Sequence, residues 1–138
     1  MKNKNLKQRT KKFALDVIAA VEKLPRDRTC DVLGRQLLRS GTSVGANYRA
    51  ACRAKSPADF ISKMGTVEEE ADESGYWMEL LVDAGKLRFE NVKVLLDESN
   101  ELTAISVASI NTARNSSMNS KQPRGGLNSA LRTPRSAL

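Results

Sequence analysis

From Phe60 the small and apolar residues Phe60, Met64, Val67, Ala71, Ser74/Gly75, Met78, Leu81/Val82 and Gly85 recur in alternating steps of four and three. A helix gathers residues at that spacing on one side, whereas a strand would scatter them over both faces. This seam is the strongest pattern in the chain and must be buried against a neighbour, and the dominance of Ala, Leu, Glu, Lys and Arg in the middle of the chain favours helices over sheets for that neighbour. Ser56-Pro57 opens the segment as N-cap and first-turn proline, Asp59 suits the positive end of the helix dipole, and Gly85 closes it.

Three further helices complete the pattern. The first runs from about Thr10, as N-cap, to Leu24, with Pro25 ending it. Phe13, Val17, Ala20, Val21 and Leu24 share a face. The second runs from about Arg28 to Arg53. Its weak point is Ser40-Gly41-Thr42-Ser43-Val44-Gly45, which has poor helix propensity. A loop there would make two short helices. Read as helix, however, Cys30, Leu33, Leu37, Gly41, Val44, Tyr48 and Ala51 keep one phase across it. The spacing therefore predicts one continuous helix, with a waist of small residues where a neighbouring backbone comes close. The fourth helix spans about 91–114, with Val92, Leu95, Ser99, Leu102, Ser106 and Ile110 on one side. With short connections, the four make an all-α, antiparallel up-down-up-down bundle over residues 10–114.

Charge divides the chain differently. Residues 1–12 carry six basic residues and no acid, and residues 102–138 carry five and no acid. The arms stand at +6 and +5 around a middle of −4, within a net +7. We read residues 1–9 as a basic arm and 115–138 as a disordered basic tail rich in Ser, Asn, Gly and Arg. Such arms attract nucleic acid or anionic membrane; alternatively they are solubilising ends without a partner. They lack aromatics for base stacking, so contact there is to phosphate.

Several function classes lose their residues. The chain has no histidine, which removes the commonest general base and transition-metal ligand. No phosphate-loop, dinucleotide-binding, nucleophile-elbow or zinc-ligand motif is present. We expect no catalytic set, cofactor or metal. No apolar run reaches the length of a membrane span, and no secretory signal is evident. Cys30 and Cys52 on one helix would stand ~33 Å apart, too far to bridge. Two free thiols suit the cytoplasm.

Two constellations are candidates for function. Arg28, Arg35, Arg39, Arg49 and Arg53 fall in one row opposite the apolar face of the second helix, over ~38 Å. Such a row fits phosphates; alternatively it is a solvated face, or it pairs with the acids of the third helix. Those acids are Glu68, Glu69, Glu70, Asp72, Glu73, Glu79 and Asp83. Beside them Tyr76, Trp77 and Leu80 lie off the seam, as a subunit or partner contact; alternatively Trp77 flanks the core.

The segments LGRQLLRSGTSVGANYRAACRAKSPADFISKM, EEEADESGYWMELL and ELTAISVASINTARN strongly resemble the 23S rRNA intervening-sequence proteins, over roughly residues 9–115. The resemblance implies an antiparallel four-helix bundle assembling into a ring-shaped homopentamer. It also implies a link to structured RNA, since some members are encoded inside insertions in ribosomal RNA genes, and it implies no enzymatic activity. The bundle is similar, too, to the accessory protein of diversity-generating retroelements, a basic pentamer that binds a reverse transcriptase and nucleic acid. The opening LKQRTKKFALDVI departs from the tyrosine- and tryptophan-containing start of many members. The expectation is a non-enzymatic oligomer associated with RNA or DNA; the alternative is a protein-interaction adaptor such as an accessory subunit of a reverse transcriptase.

Overall fold

The computed structural model describes residues 5–120, all side chains to 118 included. It has four helices: α1 Leu6–Glu22, α2 Arg28–Ala51, α3 Pro57–Asp83 and α4 Phe89–Ser120. There is no strand among the described residues. Five-residue connections over 23–27, 52–56 and 84–88 join them.

Contacts set the directions. Thr10 and Val17 of α1, and Leu24 just past its end, pack in turn on Gly45, Gly41 and Gly34 of α2, so the two run antiparallel. At one end of the bundle Lys86 of the α3–α4 connection reaches Asp27 before α2 at 3.1 Å. At the other, the α2–α3 connection and Phe60 line one open groove with Ala113 and Ser116 of α4. We refer to these as the Asp27 end and the Lys55 end. Helices α2 and α3, and α3 and α4, share the broadest contacts, and α1 meets α4 more narrowly.

The core follows the apolar phases. Met64, Val67, Ala71, Ser74, Gly75, Met78 and Leu81 of α3 are buried, as the seam requires. Cys30, Leu37, Gly41, Val44 and Ala51 line the inner side of α2, which is one unbroken helix through its waist. Asp27 caps it through the N–H of Cys30, and Ser56 caps α3 through the N–H of Asp59. Between α2 and α3 the buried Ser74 hydroxyl lies 3.0 Å from that of Ser40. Ser40 donates its proton to the Leu37 carbonyl and accepts from Ser74, whose single proton is shared between Ser40 and the Glu70 carbonyl, so both buried hydroxyls have partners.

Both helix ends next to the chain termini differ from expectation. Helix α1 starts at Leu6, not Thr10. Leu6 is 3% exposed and extends the apolar face, so burial carries the helix four residues further out. Thr10 is buried inside it, its hydroxyl donating to the Leu6 carbonyl at 2.8 Å. The basic arm assigned to 1–9 is thus helical from Leu6 onward, and residues 1–4 lie outside the described residues. Helix α4 continues past Arg114 to Ser120. The residues after Arg114 are polar but include no proline or glycine before Pro123, so nothing stops the helix at 114. The rest of the tail assigned to 115–138 lies outside the described residues. No described helix is long and apolar enough to cross a membrane.

Candidate nucleic-acid interface

The arginine row is built by helical phase. With Cys30, Leu37, Val44 and Ala51 turned inward, Arg28, Arg35, Arg39, Arg49 and Arg53 stand on the outer side, and all five are exposed. Their surroundings are unequal. Arg39 is committed to α3: its guanidinium donates to both carboxylate oxygens of Glu70 at 3.3 Å and to Glu73 at 2.6 Å. Arg28, Arg35 and Arg49 make no ion pair among the described residues, and Arg53 donates to the Arg49 carbonyl at 3.3 Å. Pairing with the acidic helix therefore accounts for one member of the row and leaves four open to an anion.

Only Glu70 and Glu73, on the side of α3 turned to α2, reach Arg39. Glu69, Asp72, Glu79 and Asp83 face solvent. No group of three acidic or thiol side chains among the described residues converges as a metal site would. Glu73 also accepts from the Trp77 indole N–H at 3.1 Å.

That bond orders the aromatic trio. Trp77 is half-buried, packs on the core cluster and shares Glu73 with Arg39 at the outer α2–α3 junction. Tyr76, 54% exposed, sets its ring edge-on to Trp77 with centroids 5.1 Å apart. Leu80 is half-buried. Of the three residues assigned to a subunit contact, Tyr76 is the one with a largely free surface.

Two further ionisable groups are shifted by their packing. Backbone N–H donation from Cys30, then the Lys86 ammonium, holds the Asp27 carboxyl below the usual carboxylate range. Burial, with the Cys52 thiol beside it, pushes the Tyr48 phenol up to about 12. Cys30 is buried and Cys52 exposed, and both are free thiols.

Sequence reasoning missed two cross-helix ties. Arg9 forms a forked pair with Glu98 of α4 at 2.7 and 3.0 Å, with Glu101 3.7 Å away. Lys86 forms the clasp to Asp27. Neither carries a sequence signal, since the partners lie 89 and 59 residues apart.

Comparison with solved structures finds a crystal structure of a protein of unknown function from the S23 ribosomal protein family of Bacteroides thetaiotaomicron VPI-5482. It aligns with a TM-score of 0.71 at 35% identity, covering 75% of this chain and 96% of that one. No curated protein matches the chain. The sequence model described as 23S rRNA-intervening sequence protein matches residues 2–108. On that match, and on the four-helix architecture it shares with its structural neighbour, the chain belongs to the family of 23S rRNA-intervening sequence proteins.

Proposed function

We propose that the protein is a non-catalytic, self-associating bundle that binds nucleic acid through phosphate contacts. The observation that carries this reading is the arginine row along α2 and just past its end. Arg28, Arg35, Arg49 and Arg53 are exposed with no acidic partner among the described residues. Each phosphate neutralised releases counterions, so binding should weaken steeply with salt. Filter binding on tagless, nucleic-acid-free protein tests it. Retention of structured RNA or duplex DNA at low salt, lost at moderate salt, supports the reading. No retention at about 10 μM protein, within the usual range for non-specific binding, refutes it.

A second reading, an adaptor for a protein such as a reverse transcriptase, draws on Tyr76. A half-exposed ring beside Asp72 and Glu79 suits a protein contact. Such a contact would be far less salt-sensitive. Under either reading the protein works in the cytoplasm as a homo-oligomer, a pentamer by the family resemblance. Light scattering that gave a mass near 15.2 kDa would rule out self-association.

A further inference from the structure

The arginine row is not one surface, because its neighbours differ along the bundle. Near the Asp27 end, Arg28 and Arg35 each have Asp31 within one helical turn. The open groove beside Arg35 is also lined by Glu22, Arg26 and Asp31. Acid and base are mixed there. In the middle, Arg39 is neutralised by Glu70 and Glu73. Only Arg49 and Arg53 remain, toward the Lys55 end.

That end is where the fold gathers acid-poor chain. The sequence has no Asp or Glu before Asp16, none between Asp31 and Asp59, and none after Glu101. The antiparallel order brings the start of α1, the end of α2 and the end of α4 together there. Asp59, the acid in the first turn of α3, already accepts from Lys63 at 2.6 Å and from the Lys55 backbone N–H at 3.0 Å.

Helix α1 adds cations to the same place. Thr10 packs on Gly45 of α2, which puts Lys7 and Arg49, each about one turn further out, at one level of the bundle. Helix α1 then divides its cations by flank. Arg9 and Lys12 line the groove toward α4, with Arg9 paired to Glu98 and Lys12 to Asp16 at 2.8 Å. By helical phase Lys7 and Lys11 fall on the opposite flank, beyond Thr10, with Lys7 the nearer of the two to α2. Both are exposed, and neither makes an ion pair among the described residues.

We infer that Lys7, Lys11, Arg49 and Arg53 form one composite phosphate-binding surface at the Lys55 end of the bundle, and that its ligand is the backbone of duplex nucleic acid. This rests on the nucleic-acid reading above and narrows it to one site. Four like charges, three on α1 and α2 and Arg53 in the connection just past α2, repel one another, and a polyanion removes that repulsion. No aromatic ring stands among them, so there is nothing to stack splayed bases on, and contact is to phosphates rather than base edges. The exposed large apolar side chains of α1 and α2, Leu15 and Val32, lie outside the surface, so a membrane would find no apolar anchor in it.

The test uses the full chain and a short mixed-sequence duplex, RNA and DNA in parallel, followed by fluorescence anisotropy across salt. Changing Lys7, Lys11, Arg49 and Arg53 together to Gln should flatten the log K against log salt slope by about 4. Exchanging them conservatively (Lys7→Arg, Lys11→Arg, Arg49→Lys, Arg53→Lys) should retain binding. The pair Arg28→Gln and Arg35→Gln should leave the slope within about 1 of wild type. Matching thermal melts would show that the variants are folded. The inference is overturned if the Arg28/Arg35 pair loses as much as the quadruple variant, or if the quadruple variant binds like wild type. It is also overturned if anionic phosphatidylserine vesicles bind where duplexes do not. Failure of the wild-type chain to bind any duplex overturns the underlying reading itself.

Discussion

A Cβ placed on Gly41 would stand 2.8 Å from both methyls of Val17. Helices α1 and α2 are therefore as close at this level as a glycine permits. Gly41→Ala gains about 1 kcal/mol of helix propensity but forces a well-packed contact apart, at about 1–3 kcal/mol. Net destabilisation is expected, larger for Gly41→Leu, and partly relieved by adding Val17→Ala. Gly65 on α3 has nothing within 4 Å of its would-be Cβ, so Gly65→Ala should stabilise by up to about 1 kcal/mol. Denaturant melts of the two alanine variants should move in opposite directions.

The Ser40–Ser74 pair ties α2 to α3 inside the core. Ser74→Ala should cost about 0.5–1.5 kcal/mol. Because the two hydroxyls share one bond, adding Ser40→Ala should cost less than the sum of the single changes. A double-mutant cycle by urea unfolding measures the difference; strict additivity would show that the bond contributes nothing.

Arg39→Gln separates structure from binding. Its guanidinium is half-exposed, so loss of the pairs to Glu70 and Glu73 should cost no more than about 1 kcal/mol. Duplex binding should be unchanged, since this arginine is already neutralised. A fall in duplex affinity as large as that of Arg49→Gln would mean that Arg39 leaves its carboxylates for phosphate.

Acid should loosen the Asp27 end. The folded-state pKa of Asp27 lies below its ordinary 3.8, so its ionised form stabilises the fold above that value. The contribution is lost as pH falls through the lowered folded pKa. Below about pH 4 the melting temperature of wild type should drop more steeply than that of Asp27→Asn. Parallel curves would show that Asp27 adds no acid sensitivity.

Alkali acts on Tyr48 in the opposite sense. Its folded pKa of about 12 exceeds the ordinary value of 10. The unfolded chain therefore ionises first, and stability from the neutral phenol is lost as pH rises from 10 toward 12. Tyr48→Phe should flatten the fall in melting temperature over that range.

Local order was largely legible in the residues. The seam from Phe60 to Gly85 and the shared phase across Ser40–Gly45 each state a helix and its buried side, because 3.6-residue periodicity is written in neighbouring positions. Capping by Ser56 is equally local. The ends were less legible: α1 begins at Leu6 because α1 and its neighbours bury that side chain, and no capping residue announces it.

Pairing of charges between helices was decided by the tertiary structure alone. The row from Arg28 to Arg53 reads as uniform along the chain, yet Arg39 is neutralised by acids 31 and 34 residues away. Arg9 and Lys7 read alike as a basic arm, yet one pairs with Glu98 on α4 and the other faces solvent on the α2 flank. Sequence periodicity sets which side of its own helix a residue occupies. Which helix lies beside that side, and at what level, depends on the antiparallel packing of Thr10 on Gly45 and Val17 on Gly41, and that packing alone brings Lys7 to the level of Arg49.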